Sequence, residues 1–111
     1  MKIKLFFIAM LLTFAVSPVN AQYNANIQGV VTSVLVYTDN NLILVRLKNQ
    51  PTTHPLCNPV YFAVGSDVDP KRIDRLLSRL LLAKTTGETV NIGYDNAGNC
   101  ASGYIRLHRA G

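Results

Sequence analysis

Five β-type segments, one amphipathic stretch between the third and the fourth of them, and two cysteines 43 positions apart predict a mainly β fold with one helix. Three strands, a helix and two more strands is the order of a five-stranded Greek-key barrel of the OB type, in which the helix closes the barrel bottom. An SH3-like barrel or an α+β sandwich shares enough of that order to stay open. No internal repeat or low-complexity run interrupts the pattern.

The first strand spans Ile27 to Tyr37, rich in β-branched residues and ending on an aromatic one, with Gly29 where a curved strand can bend. Thr38-Asp39-Asn40-Asn41 has turn composition, and so short a link to the second strand, Leu42 to Leu47, makes a hairpin. A polar, proline-marked loop from Lys48 to Leu56 follows, and Asn58-Pro59 leads into a third strand, Val60 to Val64. The helix opens with Asp69 placed to cap free amides, Pro70 at the first position and Asp74 early enough to favour the dipole. Ile73, Leu76, Leu77, Leu80 and Leu81 recur at helical spacing as the stripe against the sheet, which turns Arg72, Arg75 and Arg79 outward. Gly87 suits the left-handed helix end. In the fourth strand Val90, Ile92 and Tyr94 alternate with polar or small residues, and Asp95 to Asn99 form a loop. The closing strand runs from Gly103 to His108, with Tyr104, Arg106 and His108 on one face and Ile105 and Leu107 on the other.

Ahead of the domain, Lys2 and Lys4 precede an apolar run from Leu5 to Val16 and a small-residue end at Val19-Asn20-Ala21. That is the layout of a secretory signal peptide over residues 1–21, cut after Ala21. The 111-residue chain less its first 21 leaves 90 residues, 22–111, as one domain with no apolar stretch long enough to span a bilayer once the signal is removed. The expected location is periplasmic or secreted. There, Cys57 and Cys100 are expected as a disulfide rather than as a nucleophile, and a thin core in so small a domain gains from such a staple. The widely separated cysteines and histidines lack the close spacing of metal-ligand pairs, so neither a metal nor a cofactor is expected.

Removing Lys2 and Lys4 leaves nine Lys and Arg against six Asp and Glu, a net charge of +3. Four of the nine, Lys71, Arg72, Arg75 and Arg79, fall in the helix and read as a solvated face, so a nucleic-acid partner is not expected. All six carboxylates lie in turns or near helix ends, where capping accounts for them, and no nucleophile-base order stands out; the expectation is a protein that binds rather than catalyses. The expected partner is a glycan or another exported protein. Candidate ligand-binding residues are Gln28 on the first strand, Tyr37, Asp39, Asn40 and Asn41 at the first hairpin, and Tyr94, Asn96 and Tyr104 around the last loop. Leu42, Leu44 and Leu56 are either core or the apolar part of an assembly interface.

The run Thr85-Thr86-Gly87-Glu88-Thr89-Val90-Asn91-Ile92-Gly93-Tyr94 resembles the helix end and fourth strand of the B subunits of subtilase cytotoxin and typhoid toxin, and Gly29-Val30-Val31 resembles their first strand. The resemblance implies rings of five subunits, hence a possible homo-oligomer, and sialylated-glycan binding beside the first strand. In those subunits a Ser precedes the Gly-Val-Val stretch, and here the position is Gln28; the second strand, Leu42 to Leu47, also lacks the family's cysteine. Cys57 to Ala63, followed by a leucine-rich helix and the later Cys100, is similar to a broad set of small exported proteins. Export is directly measurable. Intact mass of the exported protein is expected to correspond to Gln22–Gly111 with no free thiol, and a membrane-bound product that retains Met1 would contradict the signal-peptide reading.

Overall fold

The computed structural model describes residues 23–111, so the expected signal peptide lies outside the described residues. The elements are β1 (Ala25–Val36), β2 (Ile43–Leu47), β3 (Asn58–Val64), α1 (Pro70–Thr86), β4 (Thr89–Tyr94), β5 (Cys100–Ala101) and β6 (Tyr104–Ala110). β1 is long enough to serve two neighbours. Its first half pairs antiparallel with β4, from Ala25↔Tyr94 to Val30↔Thr89, and its second half with β2, from Val31↔Leu47 to Val36↔Ile43. A register break between Val31 and Ser33 marks the changeover, where a bulge lets the strand coil from one half of the barrel into the other.

β2 continues antiparallel into β3, β4 pairs antiparallel with β6, and β3 pairs parallel with β6 through Asn58↔Tyr104, Phe62↔Ile105 and Ala63↔Arg106. The parallel pair closes the sheet. Five strands and one helix thus form an OB-like barrel, as the element order predicts. The sixth strand is a small departure: Cys100–Ala101 folds back on Ile105–Tyr104 through a turn in which Ser102 and Gly103 take φ of 50° and 86°. Two residues carry too little periodicity to be read as a strand beforehand.

Inside the barrel, Val45, Phe62, Val64, Ile92 and Ile105 are fully buried, and α1 lays Ile73, Leu80 and Ala83 over one end. Each such large apolar side chain stabilises the fold by about 1.5–3 kcal/mol on burial. The helix sits a little differently from its expected stripe: Leu76 and Leu77 are only partly buried, Leu81 is exposed, and the deepest late position belongs to Ala83, whose small side chain lets the helix approach the sheet. Asp69 occupies the position before the helix, but its side chain makes no capping bond; its carbonyl accepts the N–H groups of Arg72 and Ile73 at 2.9 and 3.0 Å. At the other end Gly87, at φ 75°, donates to the Ala83 carbonyl. Leu44 is core, in a smaller cluster with Ala63 and Ala101 to which Leu42 and Tyr104 add, whereas Leu56 is exposed.

Two side chains tie down the loop between β2 and β3. Buried Gln50 accepts the Leu47 N–H and donates to the Pro59 carbonyl. The His54 ring accepts the N–H groups of Leu56 and Cys57 at Nδ1 and, in the tautomer those bonds require, donates from Nε2 to the Asp95 carbonyl at 2.8 Å. His54 is therefore a structural bridge between two loops. Beside it Cys57 and Cys100 form a disulfide with Cα atoms 5.5 Å apart, fastening the start of β3 to β5. Replacing both cysteines with Ala opens a loop of 43 residues' separation and is expected to cost about 4 kcal/mol by the chain-entropy relation, read as a lowered urea midpoint.

Candidate ligand-binding cleft

The eight residues expected to bind a ligand fall into separate places. Tyr37, Asn40 and Asn41 line a shallow depression of about 170 Å³ between the β1–β2 hairpin and α1, and Asn40 spends its side-chain oxygen on the Leu42 N–H. Asp39 is exposed in the same turn. Tyr94 and Asn96 lie at the opposite end of β1, where Tyr94 pairs with Ala25 and the Asn96 N–H reaches the Asn24 side chain. The Tyr94 ring leans on Phe62, with centroids 5.4 Å apart, and Tyr104 meets Tyr61 edge-on at 5.8 Å. Both tyrosines are half-buried packing elements. Gln28 is exposed mid-strand, its carbonyl held by the Asn49 amide. Twelve residues of extended strand separate the two end groups, so the eight cannot form one site.

A larger cleft of about 780 Å³ lies elsewhere, between α1 and β6. Arg72, Arg75 and Arg79 enter from the helix, Arg106 and His108 from β6, Asn99 from the loop before β5, and Tyr23 from the segment before β1, over a floor that includes Val64, Val68, Leu76 and Leu107. Spacings of three and four residues bring the helical arginines onto one side. Spacing of two brings Arg106 and His108 onto one face of β6. The helix side expected to be merely solvated is therefore one wall of a cleft.

Two glycines shape it. A Cβ at Gly65 would meet Asp67 Oδ1 and also Arg106 Nη1 at 2.8 Å, so the bare backbone lets the Arg106–Asp67 pair lie across the end of β3. A Cβ at Gly93 would meet the Tyr23 ring at 2.8 Å, so the missing side chain lets the ring pack directly on β4. From there Tyr23 faces His108, with centroids 6.0 Å apart and planes 31° from parallel.

Charge in the cleft is one-sided. Arg106 bonds Asp67 at 3.2 Å and the Cys100 carbonyl at 3.2 Å, while its buried Nε has no acceptor among the described residues. Arg79 pairs with Glu88 at 3.1 Å. Arg72 and Arg75 form no ion pair among the described residues. Asp67, the one carboxylate that lines the cleft among the described residues, is held below its ordinary range by its hydrogen bond from Arg106. His108 is lowered from 6.5, chiefly by burial and then by Arg106, with Asp95 opposing, and the Asn99 amide lies 3.3 Å from its Nε2. The cleft thus offers guanidinium donors, a neutral imidazole at pH 7, an amide and an aromatic ring. No three His, Cys, Asp or Glu side chains converge as a metal-ligand set among the described residues.

Compared with protein-family models, curated proteins and solved structures, the chain shows no significant match to any of them. The cleft therefore has to be read from its own chemistry. A local sign of it was present in the sequence: the first turn of α1 holds no acid but carries Lys71 and Arg72, against the helix dipole, which favours anions there by about 0.3–1 kcal/mol per charge. His108 supplies a test of the electrostatics. Because its folded pKa lies below the unfolded value, the unfolded chain takes up the proton first as pH falls. Its share of stability is complete above pH 6.5 and lost as pH drops through 6.5 toward the folded value. His108→Gln is expected to flatten the decline in urea midpoint between about pH 7.5 and 5, a window well above that of Asp67.

Proposed function

We propose that this protein is an exported, non-enzymatic binding module that holds its ligand in the cleft between α1 and β6. One observation carries the reading: two elements far apart in sequence bring four arginines and a histidine to an open cleft lined, among the described residues, by a single carboxylate. Exposed cations normally spread apart or pair. Here Arg72 and Arg75 stand beside each other with no ion pair among the described residues, an arrangement with a cost that a ligand would offset. The disulfide and the absence of a membrane-crossing helix among the described residues support an extracellular or periplasmic setting.

A second reading, an assembly or inhibitor subunit that binds another exported protein, draws support from exposed apolar side chains. Val36 and Tyr37 stand at the end of β1, and Leu81 and Leu82 on α1. The resemblance to toxin B subunits favours self-association of this kind, with glycan binding beside Gln28.

Light scattering on the mature, oxidised protein, followed by a glycan array on the same sample, separates these. Glycan signal abolished by Arg72→Ala/Arg75→Ala is the expected result. A pentamer whose signal instead disappears on changing Gln28 or Tyr37 would transfer the site to the toxin-like position, and an oligomer silent on the array would favour the assembly role.

A further inference from the structure

We infer that the cleft between α1 and β6 binds an acidic glycan, one bearing sulfate or carboxylate groups along successive sugars. The inference rests on the binding-module reading and names the ligand class of that same site. Its first support is the charge pattern. Arg72, Arg75 and Arg79 span about 10 Å of helix at 1.5 Å per residue, so their side chains present a row of donors rather than one point charge. Guanidinium forks match the paired oxygens of sulfate or carboxylate, and the N-terminal turns of α1 add their own positive end to the same wall.

The second support is the opposite wall. Tyr23 is 40% exposed, packs against the bare backbone of Gly93 and stands beside His108 with the two ring planes tilted by 31°, which makes a ring surface for the apolar face of a sugar. Asn99 and Tyr23 supply neutral hydrogen-bonding groups beside it. Arg106 is already oriented by Asp67 and the Cys100 carbonyl, so its charge is held on the β6 wall of the cleft at little further cost in side-chain freedom. A ring surface facing a row of guanidinium groups fits a chain of acidic sugars better than an acidic peptide, which has the charges without the flat apolar rings.

Calorimetric titration of the exported protein tests this with a heparin hexasaccharide, an oligogalacturonate, a neutral maltohexaose and a hexaglutamate peptide, each at low and at physiological salt. Binding of the sulfated or the uronic oligosaccharide is expected, weakening as salt rises, with maltohexaose inert. Arg72→Ala/Arg75→Ala should weaken that binding at least about tenfold, as expected for two lost charge-assisted contacts. Lys48→Ala/Lys84→Ala, which removes the same charge outside the cleft, should leave it within about twofold. Both pairs are exposed, so circular dichroism should show an unchanged fold. Tyr23→Ala should weaken the oligosaccharides while leaving any hexaglutamate signal unchanged. Equal affinity for hexaglutamate, insensitive to Tyr23, would overturn the glycan in favour of an acidic peptide. Binding of maltohexaose unaffected by the arginine changes would overturn the acidic class but keep the binding module. Silence toward all four probes, together with a silent array, would remove both.

Discussion

Parallel pairing between β3 and β6 is the contact on which the rest of this molecule depends. The other pairings of the barrel strands are antiparallel, and the β1–β2 pair arises from a short hairpin; β3 meets β6 only after the helix and β4 have crossed over. Such a connection carries a large loop-closure cost before any contact repays it. The disulfide reinforces the same seam, joining the residue before β3 to β5, and the Asn58 N–H reaches the Gly103 carbonyl at 2.8 Å beside it. His54 braces the seam from the loop side through Asp95. Closure of the barrel, fixing of β5 and placement of β6 alongside α1 are thus one event.

The cleft is a consequence of that closure. Once β6 is fixed, Arg106 and His108 must face whatever the near side of α1 presents, and that side presents Arg72, Arg75 and Arg79. Asp67 and Glu88 each neutralise one arginine, and the remainder of the charge is left open to solvent. Local rules would arrange this differently. An acid in the first helical turn and an acid four residues from each arginine would stabilise α1, yet Lys71 and Arg72 occupy that turn. Where local preference and observed sequence disagree in a folded chain, the disagreement marks a candidate functional site. The same contrast explains why Asn40 of the hairpin is a weaker candidate: it uses its side-chain oxygen on the nearby Leu42 N–H, as turns require.

Much of the architecture was legible because it is written in short-range periodicity. Alternation in Val90, Ile92 and Tyr94 and the Ile73–Leu80 spacing each identify an element from a few consecutive residues. Tyr94 and Tyr104 show the limit. Alternation puts them on a strand, but only the neighbouring rings of Phe62 and Tyr61 reveal that they are packing elements rather than a ligand surface. Leu81 shows it again, since helical spacing places it on the apolar stripe, while the side that α1 actually turns to the barrel leaves it exposed and gives the deep position to Ala83.

Periodicity, turn composition and cysteine count by themselves determined a mainly β fold with one helix, in an element order that fits a barrel, with a disulfide expected between its two cysteines. These are properties of neighbouring residues or of a simple pair, so they need no third dimension. Which side of α1 meets which face of β6 was decided only by the tertiary structure. Arg72 and Arg106 are 34 positions apart, and nothing between them records that a parallel strand pair will bring the two into one cleft. Charge clusters assembled across elements depend on how the barrel closes, and closure is a property of the whole chain.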